Sequence, residues 1–299
     1  MSLRAELLRL GLRVFLKRRG QDLDVAAWRA RMRAMLPLVP RAPRRSRSTE
    51  VKTGGIRVQR VTTDKSRPER HVLYLHGGAY IAGSPAYYRH FSWRIADALN
   101  ANVWMLDYRL APEHPYPAAL DDAIEAYTYL ADQAPDYGRL FVMGDSAGGG
   151  LALALLLRLR DEGRRLPTAA VALSPWTDLA LTGASLELNA DADPMLTTKP
   201  LPELAQLYLA GLNPRSPYAS PLYGDAASLP PVLIQVGSDE ILRDDAVRMA
   251  DKLIRDNQKS RLEVWRRMPH AWHLLAPVVP EARQAIQRIA EFVAAAEGG

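Results

Sequence analysis

The chain has no cysteine, which removes disulfides, thiolate metal sites and cysteine nucleophiles together and leaves a reducing compartment open to it. It also lacks any apolar run long enough to cross a bilayer. At the N-terminus Arg4, Glu6, Arg9 and Arg13 interrupt what a secretory leader would need as an unbroken apolar stretch, and no small-residue cleavage site follows, so a cytoplasmic protein is expected. The six histidines, at 71, 76, 90, 114, 270 and 273, show no H-E-x-x-H spacing, so neither a metal nor a cofactor is expected. No internal repeat is evident.

What is present points to a globular protein. Of 299 residues, 48% are apolar and 24% charged, which fits one sizeable α/β domain with an elaboration better than a disordered or fibrous chain. The net charge of +6 is uneven, because residues 1–50 hold thirteen Arg and Lys against four Asp and Glu, leaving the remainder slightly acidic. Aromatic platforms and a recognised nucleic-acid motif are missing from that basic segment, so no nucleic-acid partner is expected. Leu3, Leu7, Leu8, Leu12, Phe15 and Leu16 recur at helical spacing with Arg and Lys between them. Such a helix either lies on a membrane surface or docks on its own protein, and docking is the preferred reading.

Two helices, near 2–19 and 23–36, precede a proline- and arginine-rich stretch, 37–50, that reads as an exposed linker. From about residue 56 strands at 71–75, 102–107, 139–143, 169–174, 232–236 and 261–266 alternate with helices near 87–100, 117–134, 147–163, 242–256 and 280–296. That rhythm predicts an α/β fold with a mostly parallel sheet covered on both faces. Almost sixty residues between the strands at 174 and 232 exceed a normal crossover and predict an insertion with a helix near 200–211. The expected division is 1–45 as N-terminal helices contributing to a cap, 46–178 as the first part of the core, 179–228 as the cap insertion and 229–299 as the second part of the core.

Chemistry enters at Gly144-Asp145-Ser146-Ala147-Gly148, set between a strand and a helix, which is the nucleophile-elbow pattern of an α/β-hydrolase. A serine at the apex of a tight turn needs small neighbours, and the helix behind it aims its positive end at any oxyanion formed there. His76-Gly77-Gly78-Ala79-Tyr80 follows the strand 71–75, where small residues let backbone N–H groups converge. Gly77, Gly78 and Ala147 are the candidate oxyanion donors, and Ala79 could add its own N–H. A serine hydroxyl needs a base, and downstream only His270 and His273 qualify. His270, behind Pro269, is the choice. The acid should leave the strand 232–236. Asp239 stands nearest its end and is selected, with Glu240 and Asp244 as alternatives.

HGGAY at 76–80, DYRLAPEHPYPAALDDA at 107–123, GDSAGGGLA at 144–152, GSDEILRDD from 237 and MPHAWH from 268 together resemble the hormone-sensitive-lipase-like family of α/β-hydrolases, over roughly residues 60–295. The resemblance implies a triad of Ser146, Asp239 and His270, an oxyanion hole at Gly77, Gly78 and Ala147, and a cap built from the N-terminus and the insertion. It implies a structural role for Asp107, Tyr108, Arg109 and Glu113. It departs from the family at Ala79, where many relatives carry a third glycine. The expected activity is hydrolysis of short- to medium-chain carboxylic esters as small-molecule substrates through an acyl-enzyme. Lactone or acetylated-small-molecule hydrolysis, and a non-catalytic binding protein on the same scaffold, stand as alternatives. Tyr80, Trp176, Met195, Leu204 and Tyr208 are candidates for the substrate pocket, core packing being the other reading of each. Membrane association through the N-terminal helix is the less favoured reading, and a homodimer is left open.

Overall fold

The computed structural model describes residues 2–15, 24–53, 55–133 and 139–298. Its sheet has eight strands: β1 (Ser46–Thr53), β2 (Ile56–Thr63), β3 (His71–Leu75), β4 (Asn102–Asp107), β5 (Leu140–Asp145), β6 (Ala169–Leu173), β7 (Val232–Gly237) and β8 (Arg261–Trp265). Their spatial order is β1-β2-β4-β3-β5-β6-β7-β8, with β2 antiparallel to both β1 and β4 and every other pair parallel. The parallel strands β3 to β7 read as apolar runs because both of their faces are covered.

The helices are α1 (Leu3–Phe15), α2 (Val25–Met35), α3 (Arg89–Leu99), α4 (Ala118–Gln133), α5 (Ala147–Asp161), α6 (Ser185–Leu188), α7 (Leu201–Leu209), α8 (Arg243–Asp256) and α9 (Pro280–Glu297). Two apolar clusters flank the sheet. One gathers residues of α4, α5, α7 and α8 against Leu73, Leu75 and Val142, the other residues of α3 and α9 against Val72, Tyr74 and Phe141. Alternate residues of β3 thus face opposite clusters, as strand geometry requires. Residues 16–19 of the anticipated first helix lie outside the described residues.

One expectation fails at the N-terminal edge. Residues 46–53, which overlap the end of the anticipated linker, form β1, and this strand pairs along its whole length with β2 from Ser46↔Thr63 to Thr53↔Ile56. β1 is largely exposed and carries only one apolar residue, Val51, so backbone pairing at a sheet edge holds it rather than side-chain burial.

The two N-terminal helices dock in different places. Ala5 and Leu8 of α1 pack on the cluster of α3 and α9, and the Ser2 hydroxyl donates to Glu281 at 2.9 Å. Val25, Trp28 and Met32 of α2 pack on the opposite cluster, which includes α7. Arg29 of α2 donates to the carbonyls of Ile81 and Ala111, each at 2.7 Å, and pairs with Glu113 at 2.6 Å. The outer face of α1 leaves Leu3, Leu7 and Leu10 exposed. No described helix is long and apolar enough to cross a membrane.

The chain passes from β3 outward to β4 and then back across to β5, so the strand order reverses between β3 and β5. In open α/β sheets the crevice beyond the carboxyl ends of strands at such a reversal is where ligands bind. His76 and Gly77 follow β3 there, and Ser146 follows β5, with Leu75 opposite Gly144 in the register.

Candidate active site

Ser146 sits between β5 and α5 with φ 55° and ψ −125°, a conformation that non-glycine residues rarely adopt. Close packing enforces it. A Cβ on Gly144 would lie 2.1 Å from the Gly148 carbonyl oxygen, and one on Gly148 would lie 2.1 Å from that of Leu75, so neither position admits a side chain. The Ser146 N–H donates to Leu173 O at 2.8 Å, and its carbonyl accepts from Trp176 N at 3.0 Å, tying the turn to β6 and to the segment beyond it.

The loop after β3 is fastened from below by Asp145. Its carboxylate accepts from Tyr74 Oη and Tyr88 Oη, both at 2.9 Å, and from Gly77 N at 3.1 Å. Burial raises the Asp145 carboxyl to about 6 even though the two tyrosines, His270 and Gly77 favour its charge. Gly77 N–H also donates to Tyr88 Oη at 2.9 Å. That N–H is therefore engaged beneath the loop and cannot face a reacting oxygen, contrary to its expected place among the oxyanion donors. Among the described residues, the N–H groups of Gly78, Ala79 and Ala147 have no protein acceptor. Gly78 takes φ 125°, open to glycine alone, while Ala79 takes φ 53° in the left-handed region, so alanine there keeps the turn.

His270 lies almost fully buried, with Nδ1 2.8 Å from Oε2 of Glu240. The expectation of Asp239 as its partner is corrected. The chain turns sharply after β7, with Glu240 N donating to Gly237 O at 3.3 Å, and adjacent side chains leave that turn in opposite directions. Asp239 points outward and pairs with Arg9 of α1 at 2.8 Å, whereas Glu240 folds back over the strand end and accepts from Gly237 N at 2.5 Å. The second alternative, Asp244, instead accepts from Ser185 N at 2.9 Å.

Burial works against the charged form of His270, but the hydrogen bond and negative charge of Glu240, joined by the charges of Asp193 and Asp145, outweigh it, and the net effect lifts the imidazole above its ordinary value. Burial likewise raises Glu240, opposed by His270, Gly237 and Ser174. His273, the other candidate base, is held elsewhere: Nε2 lies 2.8 Å from Gln235 Oε1, and burial lowers the ring to about 3.

Several contributors escaped the sequence reading. Asn189 Nδ2, in the insertion, donates to the carbonyls of Glu240 at 2.8 Å and Ser238 at 3.1 Å, and Asp193 accepts from Ile241 N at 3.0 Å. The insertion thus grips the turn bearing Glu240 from both sides. Ser174, directly after β6, donates to Glu240 Oε1 at 2.7 Å. No motif marks these residues, since each acts through a contact between segments far apart in the chain.

Of the five pocket candidates, the structure brings Tyr80, Trp176, Leu204 and Tyr208 into one buried cluster, without Met195. The rings of Tyr80 and Tyr208 stack at 3.7 Å with 7° between planes, joining the loop after the oxyanion donors to α7. Met195 is half-buried outside that cluster, its N–H bonded to Asp193. Tyr108 Oη donates to His76 O at 2.7 Å, Arg109 pairs with Asp122 at 2.7 Å and Asp107 with Arg57 at 3.0 Å, which locks the loop beneath the site. Among the described residues no group of His, Asp and Glu is arranged to hold a metal ion.

A doubly covered parallel sheet with a serine elbow, free backbone donors and a histidine–glutamate pair at its carboxyl edge defines a hydrolase of the α/β class. The family model for the alpha/beta hydrolase fold matches residues 72–274, and the chain belongs to that family, in its hormone-sensitive-lipase-like branch. It is 46% identical over 247 residues to an acetyl-hydrolase of Streptomyces hygroscopicus, covering 81% of this chain and 83% of that one. Among solved structures it resembles the esterase EstE5, in a crystal soaked with p-nitrophenyl butyrate, with a TM-score of 0.94 and 37% identity over the full length of both chains. It equally resembles an esterase of the bacterial hormone-sensitive lipase family, with a TM-score of 0.92 and 38% identity over 98% of each chain.

Proposed function

We propose that the protein is a serine carboxylesterase in which Ser146 is the nucleophile, His270 the general base and acid, and Glu240 the residue that orients it. The observation that carries this reading is the 2.8 Å contact between His270 Nδ1 and Glu240 Oε2 at the same sheet edge as the strained Ser146 turn. Ser146 attacks the ester carbonyl as His270 takes its proton, and the oxyanion accepts from the N–H groups of Gly78, Ala79 and Ala147. The imidazolium then protonates the departing alcohol. Glu240 holds the ring with its free nitrogen toward the serine and stabilises the imidazolium without taking the proton. Water repeats the sequence on the acyl-enzyme and frees the acid.

The substrate is a small ester with a short acyl group. The nearly parallel stack of Tyr80 on Tyr208 has alongside it Trp176, whose backbone N–H donates to Ser146 O, and we read these rings as a rigid wall that disfavours long chains. The acetyl-hydrolase name of the Streptomyces relative agrees with that preference. Residues 179–228, together with α2, serve as the cap over this wall.

Turnover of p-nitrophenyl acetate, butyrate, octanoate and laurate by the purified protein tests both parts. The expected order has the acetate and butyrate first, and Ser146→Ala is expected to lower kcat by at least about 10⁴-fold. Unchanged turnover in Ser146→Ala would overturn the mechanism. A laurate preference would remove the short-chain assignment while leaving the mechanism intact.

A further inference from the structure

Ser174 directly follows β6 and is wholly buried. Its N–H donates to Gln235 O at 2.7 Å, which fixes its backbone to β7, and its φ of 46° turns the side chain out of the strand pattern. The preceding carbonyl, Leu173 O, accepts from the nucleophile's own N–H. The Ser174 hydroxyl donates to Glu240 Oε1 at 2.7 Å and accepts from Ala271 N at 3.1 Å. One oxygen thus holds the carboxylate that faces His270 and the backbone of the residue directly after His270.

We propose that Ser174 is a positioning residue for the esterase reaction, fixing the Glu240 carboxylate and the His270 loop relative to each other through its bridging hydroxyl. The proposal rests on the assignment of Ser146, His270 and Glu240 as nucleophile, base and acid. A carboxylate has two oxygens, and only one can point along the imidazole Nδ1–H. Glu240 Oε1 is already occupied by Gly237 N and Ser174 Oγ, which leaves Oε2 to His270 and prevents the group from rotating about its terminal bond. The backbone bond to Gly237 alone leaves that rotation hinged at one point. The bond to Ala271 extends the restraint to the base, so that acid and imidazole keep their separation as the ring gains and loses its proton. A merely structural serine would need only its backbone contact to Gln235, and the two side-chain bonds would carry no consequence for the chemistry.

The test uses Ser174→Ala and Ser174→Gly, both lacking the hydroxyl, the second free of any penalty at positive φ. Loss of a hydrogen bond to a charged group predicts a fall in kcat of about 10- to 100-fold with KM within about twofold of the parent, in both variants. In proton NMR the downfield signal of the hydrogen between His270 and Glu240 should move or broaden in both while the fold is retained. In a Glu240→Ala background, removing the hydroxyl should cost less than about threefold, because Ser174 then has no carboxylate to hold. Equal losses in the presence and absence of Glu240, or a parent-like kcat and an unmoved proton signal in Ser174→Gly, would overturn the proposal. If Glu240→Ala itself leaves turnover unchanged, the assignment of the acid fails instead, which keeps the two failures apart.

Discussion

The turns that carry the proposed nucleophile and the proposed acid stand at the carboxyl ends of β5 and β7, yet they are built by different means. Ser146 is placed by backbone: two glycines that admit no Cβ, a left-handed φ, and main-chain bonds to Leu173 and Trp176. Glu240 is placed mainly by side chains, with one backbone bond from Gly237 N: Ser174 shares that carboxylate oxygen, His270 takes the other, and Asn189 and Asp193 hold the main chain from the insertion. A backbone-built site is stiff and self-contained, and it tolerates little substitution. A side-chain-built site depends on distant segments and fails in graded steps as individual contacts are removed.

The largest test of that contrast compares neighbours. Glu240→Gln keeps the shape of the side chain but loses the charge that orients and stabilises the imidazolium, and kcat should fall roughly 10³- to 10⁴-fold. Asp239→Asn, one residue away, should change kcat by less than about threefold, since that carboxylate faces Arg9 and the surface. Equal losses from the two would mean that the acid turn is not divided as the contacts divide it, and a large loss from Asp239→Asn alone would restore Asp239 as the acid.

The pH profile sharpens the same point. His270 must be neutral to accept the serine proton, so kcat/KM should rise with pH and level off above a midpoint higher than the ordinary histidine value, because Glu240, with Asp193 and Asp145, outweighs burial. In Glu240→Gln the largest raising influence is gone, and burial is opposed only by the charges of Asp193 and Asp145, so the midpoint of the residual activity should move to lower pH. A midpoint unchanged between parent and variant would show that Glu240 does not set the ionisation of His270.

The legibility of each region follows from how it is built. Ser146 was readable because backbone constraints demand glycine at 144 and 148, and those demands are written locally. The five strands β3 to β7 are readable as well, since burial on both faces leaves continuous apolar runs. β1 was not, because an exposed edge strand needs no apolar face. The step from Asp239 to Glu240 was unreadable for a related reason: both residues suit a strand end, and only the direction of the turn and the position of His270 choose between them. Gly77 shows the same limit. A run of small residues announces that N–H groups converge, but which of them is taken by Asp145 and Tyr88 depends on side chains arriving from β3, β5 and the turn before α3.

The smallest expected effect concerns α1. Arg9 pairs with Asp239 and Arg267 with Glu6 at 2.8 Å, so this helix touches the loops of both the acid and the base without meeting either catalytic group. The Arg9 pair is partly buried, with the side chains 14% and 18% exposed, and its removal leaves Asp239 able to reach solvent. Arg9→Ala should therefore destabilise by about 1 kcal/mol, visible as a small drop in Tm. Its kcat/KM on p-nitrophenyl butyrate should stay within about twofold of the parent, because the Glu240 carboxylate is held by Ser174 and Gly237 rather than by the surface side of its turn. A loss of tenfold or more, in a variant that melts as the parent does, would mean that strain on Asp239 travels through one peptide unit to Glu240. The acid turn would then depend on α1 as well as on the insertion.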